Sequence, residues 1–112
     1  MGGLPYWLLQ FYPDIYLRST DPNYSFHVER WLEVLFNEVE SLWNGNGGPI
    51  IMAQIENEFG NYGWPNCDYD YTNWLRDVFR KYVGDKAVLF TTDGAREGWL
   101  NCGKIEGKYL MR

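Results

Sequence analysis

The chain has 112 residues, of which 46% are hydrophobic and 22% are charged, and this composition is typical of a folded globular protein and excludes a disordered one. The formal net charge is -5 and the ten Lys and Arg residues form no basic run, which argues against a nucleic-acid partner. No apolar stretch reaches about 18 residues, so we expect no membrane span, and the first residues lack a signal-peptide pattern, so any export signal would lie upstream of them.

The first predicted helix begins after residue 21. Up to about residue 16 we expect no regular element, because glycines and prolines interrupt the apolar residues. Asp21 is a suitable helix N-cap, and Pro22 suits the first helical position. His27 lies off the apolar stripe, so we expect it to face solvent. The stripe itself predicts an amphipathic helix to about residue 43, with Tyr24, Val28, Trp31, Leu32, Leu35, Phe36, Val39, Leu42 and Trp43 on one face.

A strand and a second helix are predicted next. Residues 44–48 are rich in glycine and end the first helix. The run at residues 49–55 is short and almost wholly apolar, which favours a strand buried on both faces. The following helix has Asp68 or Asp70 as its cap and Gly84 as its stop, and its inner stripe consists of Tyr71, Trp74, Leu75, Val78, Phe79 and Tyr82.

A second buried strand is predicted at residues 87–92, closed by the turn pair Asp93 and Gly94. For Asp93 we favour a role in the turn or as a cap over a catalytic role. Two apolar strands joined by a helix form a parallel βαβ unit, so the predicted fold class is α/β. Functional side chains in such folds lie at the carboxyl ends of the strands.

Four polar residues crowd the end of the first predicted strand: Gln54, Glu56, Asn57 and Glu58. Strand alternation would place Gln54, Glu56 and Glu58 on one side of the sheet, although alternation often fails where a strand ends. On spacing alone, a polar strand end that feeds a turn explains these residues as well as an active site does. Glycoside hydrolysis offers a chemical reason for them, because it needs a carboxylic acid to protonate the leaving oxygen and polar groups to hold the sugar hydroxyls.

Residues 47–59, GGPIIMAQIENEF, resemble the signature of the β-galactosidases grouped as glycoside hydrolase family 35. Residues 2–9, 17–22 and 90–94 also resemble this family, so that the likeness covers essentially the whole chain and is closest to the animal lysosomal type. It implies that residues 1–112 are a partial catalytic domain, a fragment of a (β/α)8 TIM barrel with about strands four and five and their flanking helices. A complete barrel of this type has about 250 residues.

The resemblance also implies the roles of individual residues. Glu58 would be the acid/base that donates a proton to the leaving oxygen, and Asn57 would contact galactose. Glu56 would orient neighbouring groups and not transfer protons itself, and Gln54 would be structural. The implied substrate is a terminal β-galactoside, with no metal and no organic cofactor.

The chain has two cysteines, Cys67 and Cys102. From composition alone Cys67 and Cys102 would be one disulfide or two buried thiols, with thiols slightly favoured. The animal relatives join the matching positions by a disulfide, which implies the same bridge here and a lysosomal or extracellular location.

The family also has a nucleophilic Glu on a later strand, and this chain ends before reaching it. We therefore expect the 112-residue chain alone to be an inactive segment. Two alternatives stay open: a related retaining glycosidase with another sugar preference, and a non-catalytic carbohydrate-binding descendant of the enzyme.

Overall fold

The computed structural model describes residues 3–105 and 110–111, and its elements form the predicted α/β arrangement. In chain order the helices are α1 (Tyr6–Phe11), α2 (Pro22–Glu38), α3 (Phe59–Gly63), α4 (Tyr69–Val83) and α5 (Glu97–Gly103), and the strands are β1 (Met52–Asn57), β2 (Val88–Thr92) and β3 (Leu110–Met111). The strands form one sheet in the order β1-β2-β3. Both pairings are parallel, which confirms the parallel βαβ unit made by β1, α4 and β2.

The two long helices begin where their capping residues predict. The Asp21 side chain accepts hydrogen bonds from the backbone N–H groups of Asn23 and Tyr24, at 2.8 and 3.3 Å. Asp68, and not Asp70, caps α4 by accepting from the backbone N–H of Tyr71 at 2.9 Å. Each cap satisfies N–H groups that the first turn of a helix leaves without partners.

The prediction that the first long helix extends to about residue 43 is wrong, because α2 ends at Glu38 and a short 3-10 turn follows. Trp43 is buried against the ring of Phe36, with 5.7 Å between the ring centroids. The backbone at this point pairs with Ile50, which donates to Leu42 O and accepts from the N–H of Asn44, both at 2.9 Å or less. A helix through these residues would forfeit this pairing.

The first residues do contain a regular element, contrary to the prediction, because α1 occupies Tyr6–Phe11. Its flanking prolines bound the helix instead of preventing it: Pro5 precedes the first turn, and its carbonyl accepts from the N–H of Leu8 at 3.0 Å. Leu8 is buried. None of the helices in the described ranges is long and apolar enough to cross a membrane.

The prediction that His27 faces solvent is also wrong. Its ring lies among those of Trp7, Tyr12 and Phe26, with centroid distances of 5.1, 5.7 and 5.1 Å. Both ring nitrogens are buried and have no hydrogen-bond partner in the part of the chain that the structure describes. Helix α1, which the sequence did not predict, supplies Trp7 and so covers this side of α2.

The core lies where α2 and α4 pack on one face of β1 and β2. Phe36 of α2 meets Phe79 of α4 with their ring centroids 4.9 Å apart, and Val83 and Leu89 are completely buried. The predicted inner stripe of α4 is confirmed, since all six of its residues are buried in this core or packed against it. The expectation that the first strand is buried on both faces is wrong for the described residues, because Ile55 is the only buried residue of β1.

Candidate active site

The candidate site lies at the carboxyl ends of β1 and β2, where Glu58 follows β1 directly. The backbone of Glu58 has φ 55° and ψ 29°, the left-handed conformation, which costs a residue other than glycine about 1–2 kcal/mol. Its N–H donates to Thr92 O at 2.6 Å, so the pairing with β2 continues to this residue. The Glu58 side chain is exposed and forms no hydrogen bond or ion pair with the described residues. Its carboxyl group is therefore accessible to a ligand.

Glu56 lies two residues earlier and has a different environment. Arg18 binds both of its carboxylate oxygens, Nε to Oε1 at 3.1 Å and a terminal nitrogen to Oε2 at 2.7 Å. The Tyr71 hydroxyl donates to Oε1 at 2.7 Å and the backbone N–H of Asn57 donates to Oε2 at 2.8 Å. Burial, with the nearby Glu56 charge, raises the pKa of Tyr71, which keeps its hydroxyl a donor. Four donors thus engage the Glu56 carboxylate.

Arg18 connects the loop before α2 to the end of β1. Besides its two bonds to Glu56, its guanidinium donates to the backbone carbonyl of Asn57 at 3.0 Å. The guanidinium lies over the rings of Phe59 and Tyr62, at 5.2 and 4.6 Å from their centroids. Tyr62 closes the arrangement by donating its hydroxyl to Leu17 O at 3.1 Å. The residues on both sides of Glu58 are therefore held by one arginine.

Asn57 is exposed, and Gln54 fixes the orientation of its side chain. The amide nitrogen of Gln54 donates to Asn57 Oδ1 at 3.0 Å and to the backbone carbonyl of Glu56 at 3.1 Å. This leaves the Asn57 amide nitrogen as a donor with no partner among the residues the structure describes. An oriented N–H₂ group beside an accessible carboxyl group suits recognition of a sugar hydroxyl.

The alternation expected for the strand end is wrong. The register of β1 against β2 shifts between Gln54 and Glu56, so Ile55 is an extra residue in the pairing. Such a bulge re-aims the side chains that follow it. Gln54 and Asn57 consequently hydrogen-bond to each other on the exposed side, while Glu56 turns towards Tyr71 of α4.

Asp93 follows β2 and is the only Asp or Glu among the buried residues of the described ranges, with 8% of its surface exposed. Its Oδ1 accepts from the backbone N–H of Gly60 at 2.6 Å. Its Oδ2 is buried without a hydrogen-bond partner in those ranges. Burial raises the pKa of Asp93 and the nearby Glu56 carboxylate adds to this rise, while the bond from Gly60 opposes it.

One side of the site is formed by α3 and α5, two short helices that the sequence analysis did not predict. A disulfide between Cys67 and Cys102 joins the segments that follow β1 and β2, with 4.5 Å between the Cα atoms. Trp64 is half exposed, and Arg96 lies between its ring and that of Trp99, at 5.7 and 5.5 Å. The covalent bridge and these contacts restrain the two loops relative to each other.

Three residues of the site were not predicted as site residues: Arg18, Tyr71 and Asp93. Arg18 lies 38 residues before Glu56, and no local pattern connects them. Tyr71 was predicted as a core residue from its position on the α4 stripe, and its hydroxyl could not be assigned a partner from periodicity. The family resemblance of residues 17–22 was the only signal at Arg18, whereas Asp93 was noted at a strand end but interpreted as a turn or cap residue.

A separate groove of about 450 Å³ opens beside β1, between α2 and α4. Glu56 and Asn57 line one end of it, and the rest is mainly apolar side chains; Glu58 does not line it. In the described residues no group of three or more His, Cys, Asp or Glu side chains is arranged to hold a metal ion. The chemistry that the strand ends present is therefore that of one accessible carboxyl group beside an oriented amide.

Comparison with known proteins connects this arrangement to a family. The model of the Glycosyl hydrolases family 35 matches residues 1–112. The chain is 50% identical over 109 residues to proteins named beta-galactosidase from Homo sapiens and Pongo abelii, covering 97% of this chain and 16% of each relative. It is 48% identical over 105 residues to beta-galactosidase 8 of Oryza sativa subsp. japonica, covering 94% of this chain and 15% of that protein. The matches confirm the resemblance, and the chain spans about one sixth of these relatives.

Proposed function

Because the chain belongs to glycosyl hydrolase family 35, we propose that it supplies the acid/base carboxyl group, Glu58, of a retaining β-galactosidase. The observation that carries this proposal is the contrast between Glu56 and Glu58. Glu56 is engaged by four hydrogen-bond donors, whereas Glu58 is exposed and has no partner among the described residues. Only the second carboxyl group is free to meet the bridging oxygen of a galactoside.

The proposed role of Glu58 follows from the chemistry of the glycosidic bond. The leaving oxygen departs poorly as an alkoxide, so a carboxylic acid must protonate it as the bond breaks. In the second step of a retaining mechanism the same group removes a proton from the attacking water. Both steps require a carboxyl group that is held at a fixed point, which the hydrogen bonds from the N–H groups of Glu58 and Gly60 favour.

Asn57 and Glu56 have supporting roles in this proposal. The free N–H₂ group of Asn57 would donate to a galactose hydroxyl, with Gln54 keeping the amide in this orientation. Glu56 would hold Arg18 and the strand end in place. The second carboxylate of a retaining enzyme lies about 5 to 5.5 Å from the first, and we place it outside residues 1–112, on a later strand.

We assign β1 and β2 to strands four and five of a TIM barrel. Their parallel pairing across α4, and the position of Glu58 at a carboxyl end, agree with that architecture. A lysosomal or extracellular location, which the animal lysosomal type implies, is in keeping with the disulfide, because disulfides persist in oxidising compartments. The substrate would be a terminal β-galactoside, and no metal or organic cofactor would take part.

The proposal can be tested in two full-length proteins: the longest natural polypeptide that contains residues 1–112, and human β-galactosidase with this segment in place of its matching residues. The isolated 112-residue chain, assayed beside them, should show no turnover. In each full-length protein, Glu58→Gln should lower kcat/KM for phenyl β-galactoside by about 10²–10⁴-fold. It should lower kcat/KM much less for 2,4-dinitrophenyl β-galactoside, whose leaving group needs no proton.

Two further measurements make the test specific to an acid/base. Azide should restore turnover of the dinitrophenyl substrate by Glu58→Ala and yield a galactosyl azide, because a small anion can occupy the space of the missing carboxylate. Glu33→Gln, at an exposed position on α2, is the matched control and should leave both substrates unaffected. An equal loss on both substrates in Glu58→Gln would refute the assignment, and binding of galactosides without any turnover would favour the non-catalytic descendant.

A further inference from the structure

Asp93 contacts the segment that presents Glu58, although it belongs to the neighbouring strand end. Its Oδ1 accepts from the backbone N–H of Gly60 at 2.6 Å, and the preceding residue, Thr92, accepts from the N–H of Glu58 at the same distance. Phe59 lies between these two bonds and is 1% exposed. The backbone of residues 58–60 is thus fastened to the end of β2 on both sides of a buried ring.

The carboxylate of Asp93 fits closely between two glycines. A Cβ atom added to Gly60 would collide with the Trp99 carbonyl and approach Asp93 Oδ1, and one added to Gly103 would collide with Asp93 Oδ2. Helices α3 and α5 therefore each contact Asp93 through a glycine, where no side chain intervenes. Such close approach leaves Asp93 little freedom to change its conformation.

This arrangement bears directly on the left-handed turn at Glu58. A residue other than glycine keeps this conformation only when its surroundings impose it. Two of the surrounding constraints connect this turn to the end of β2: the bond from the N–H of Glu58 to Thr92 O and the bond from the N–H of Gly60 to Asp93. Without the second bond, the start of α3 would be held less firmly, and the direction of the Glu58 side chain would be less well defined.

We propose that Asp93 is a positioning residue that aims the Glu58 carboxyl group by holding the N–H of Gly60. The proposal rests on the proposed function, since it concerns the direction in which the acid/base points. Asp93 needs only an acceptor oxygen for this role and not a negative charge. Burial raises the pKa of Asp93, and the carboxyl group can accept from Gly60 whether or not it carries a proton.

The test compares Asp93→Ala, which removes the acceptor, with Asp93→Asn, which keeps an oxygen of similar shape. Both are made in the two full-length proteins, and kcat/KM is measured on the folded, monodisperse fraction. A misplacement of about 1 Å can cost about 100-fold in rate, so Asp93→Ala should lose about 10- to 100-fold on phenyl β-galactoside. The loss on the dinitrophenyl substrate should be at least about 10-fold smaller, because that reaction does not depend on the acid.

Asp93→Asn should stay within about threefold of the parent on both substrates, since its carbonyl oxygen can replace Oδ1. Asp14→Ala, at an exposed position outside the site, is the control and should change neither rate. Equal losses on the two substrates in Asp93→Ala, or a loss in Asp93→Asn as large as in Asp93→Ala, would overturn the proposal. If Glu58→Gln lowers the two rates unequally but Asp93→Ala lowers them equally, only the inference about Asp93 fails. If Glu58→Gln itself lowers the two rates equally, the proposed function fails.

Discussion

Removing Arg18 should loosen the end of β1 by an amount that the structure allows us to estimate. Arg18→Met keeps the apolar part of the side chain and removes three hydrogen bonds, two to Glu56 and one to the carbonyl of Asn57. Hydrogen bonds to charged groups contribute about 1.5–3 kcal/mol each. The Arg18 side chain is 24% exposed, and solvent screening reduces this sum, so we expect a loss of about 2–3 kcal/mol in local stability.

Hydrogen exchange followed by mass spectrometry of the full-length proteins measures this loss directly. Peptides that cover β1 and α3 should exchange about 30- to 150-fold faster in Arg18→Met, because 1.4 kcal/mol corresponds to a factor of ten. Arg30→Met, at an exposed position on α2, is the matched control and should exchange like the parent.

A double-mutant cycle tests whether the effect comes from the pair with Glu56. Arg18→Met leaves Glu56 with the donors Tyr71 and Asn57 only, and Glu56→Gln leaves Arg18 without its carboxylate. The double variant should therefore lose less than the sum of the two single losses, by at least about 1 kcal/mol. Strict additivity would show that the ion pair does not hold the strand end, and our reasoning about Glu56 would be wrong.

Two further predictions concern stability. Leu89→Ala should lower the free energy of unfolding by about 2–5 kcal/mol, and with it the midpoint of thermal unfolding, because Leu89 is completely buried in the core. Val88→Ala, on the exposed side of the same strand, should cost less than half as much. Similar costs for the two variants would contradict the described core. Cys102→Ser should make the loops after β1 and β2 more sensitive to limited proteolysis, since the disulfide joins residues 35 positions apart and such bonds contribute about 2–4 kcal/mol. Mass spectrometry verifies that the parent contains the bond. Cleavage of the variant at the parent's rate would then refute the restraining role of the disulfide.

The elements that the sequence predicts correctly depend on short-range signals. Asp21 and Asp68 each cap a helix through N–H groups two or three residues ahead, and the apolar spacing of α4 is repeated along one helix. The parallel βαβ unit follows from two apolar runs on either side of that helix. The family signature at residues 47–59 added Glu58 and Asn57 as candidates, which spacing alone left equal to a simple turn.

The interactions that build the site depend on residues far apart in the chain. Arg18 meets Glu56 across 38 residues, and Asp93 meets Gly60 across 33. Gln54 and Glu56 were expected on the same side of the sheet, but the bulge at Ile55 turns them to different sides because β2 pairs with β1 in a shifted register. The ring nitrogens of His27 are buried, and Trp7 of α1 lies against its ring.

The sequence by itself thus determined the caps, the long helices, the parallel strand pair and the family, since each is encoded by neighbouring residues or by a continuous signature. Only the tertiary structure decided that Glu56 is engaged by Arg18 and Tyr71 while Glu58 is left accessible. The physical reason is that a hydrogen bond or a buried contact forms wherever folding brings two groups together, and the distance between them along the chain leaves no local pattern to predict it.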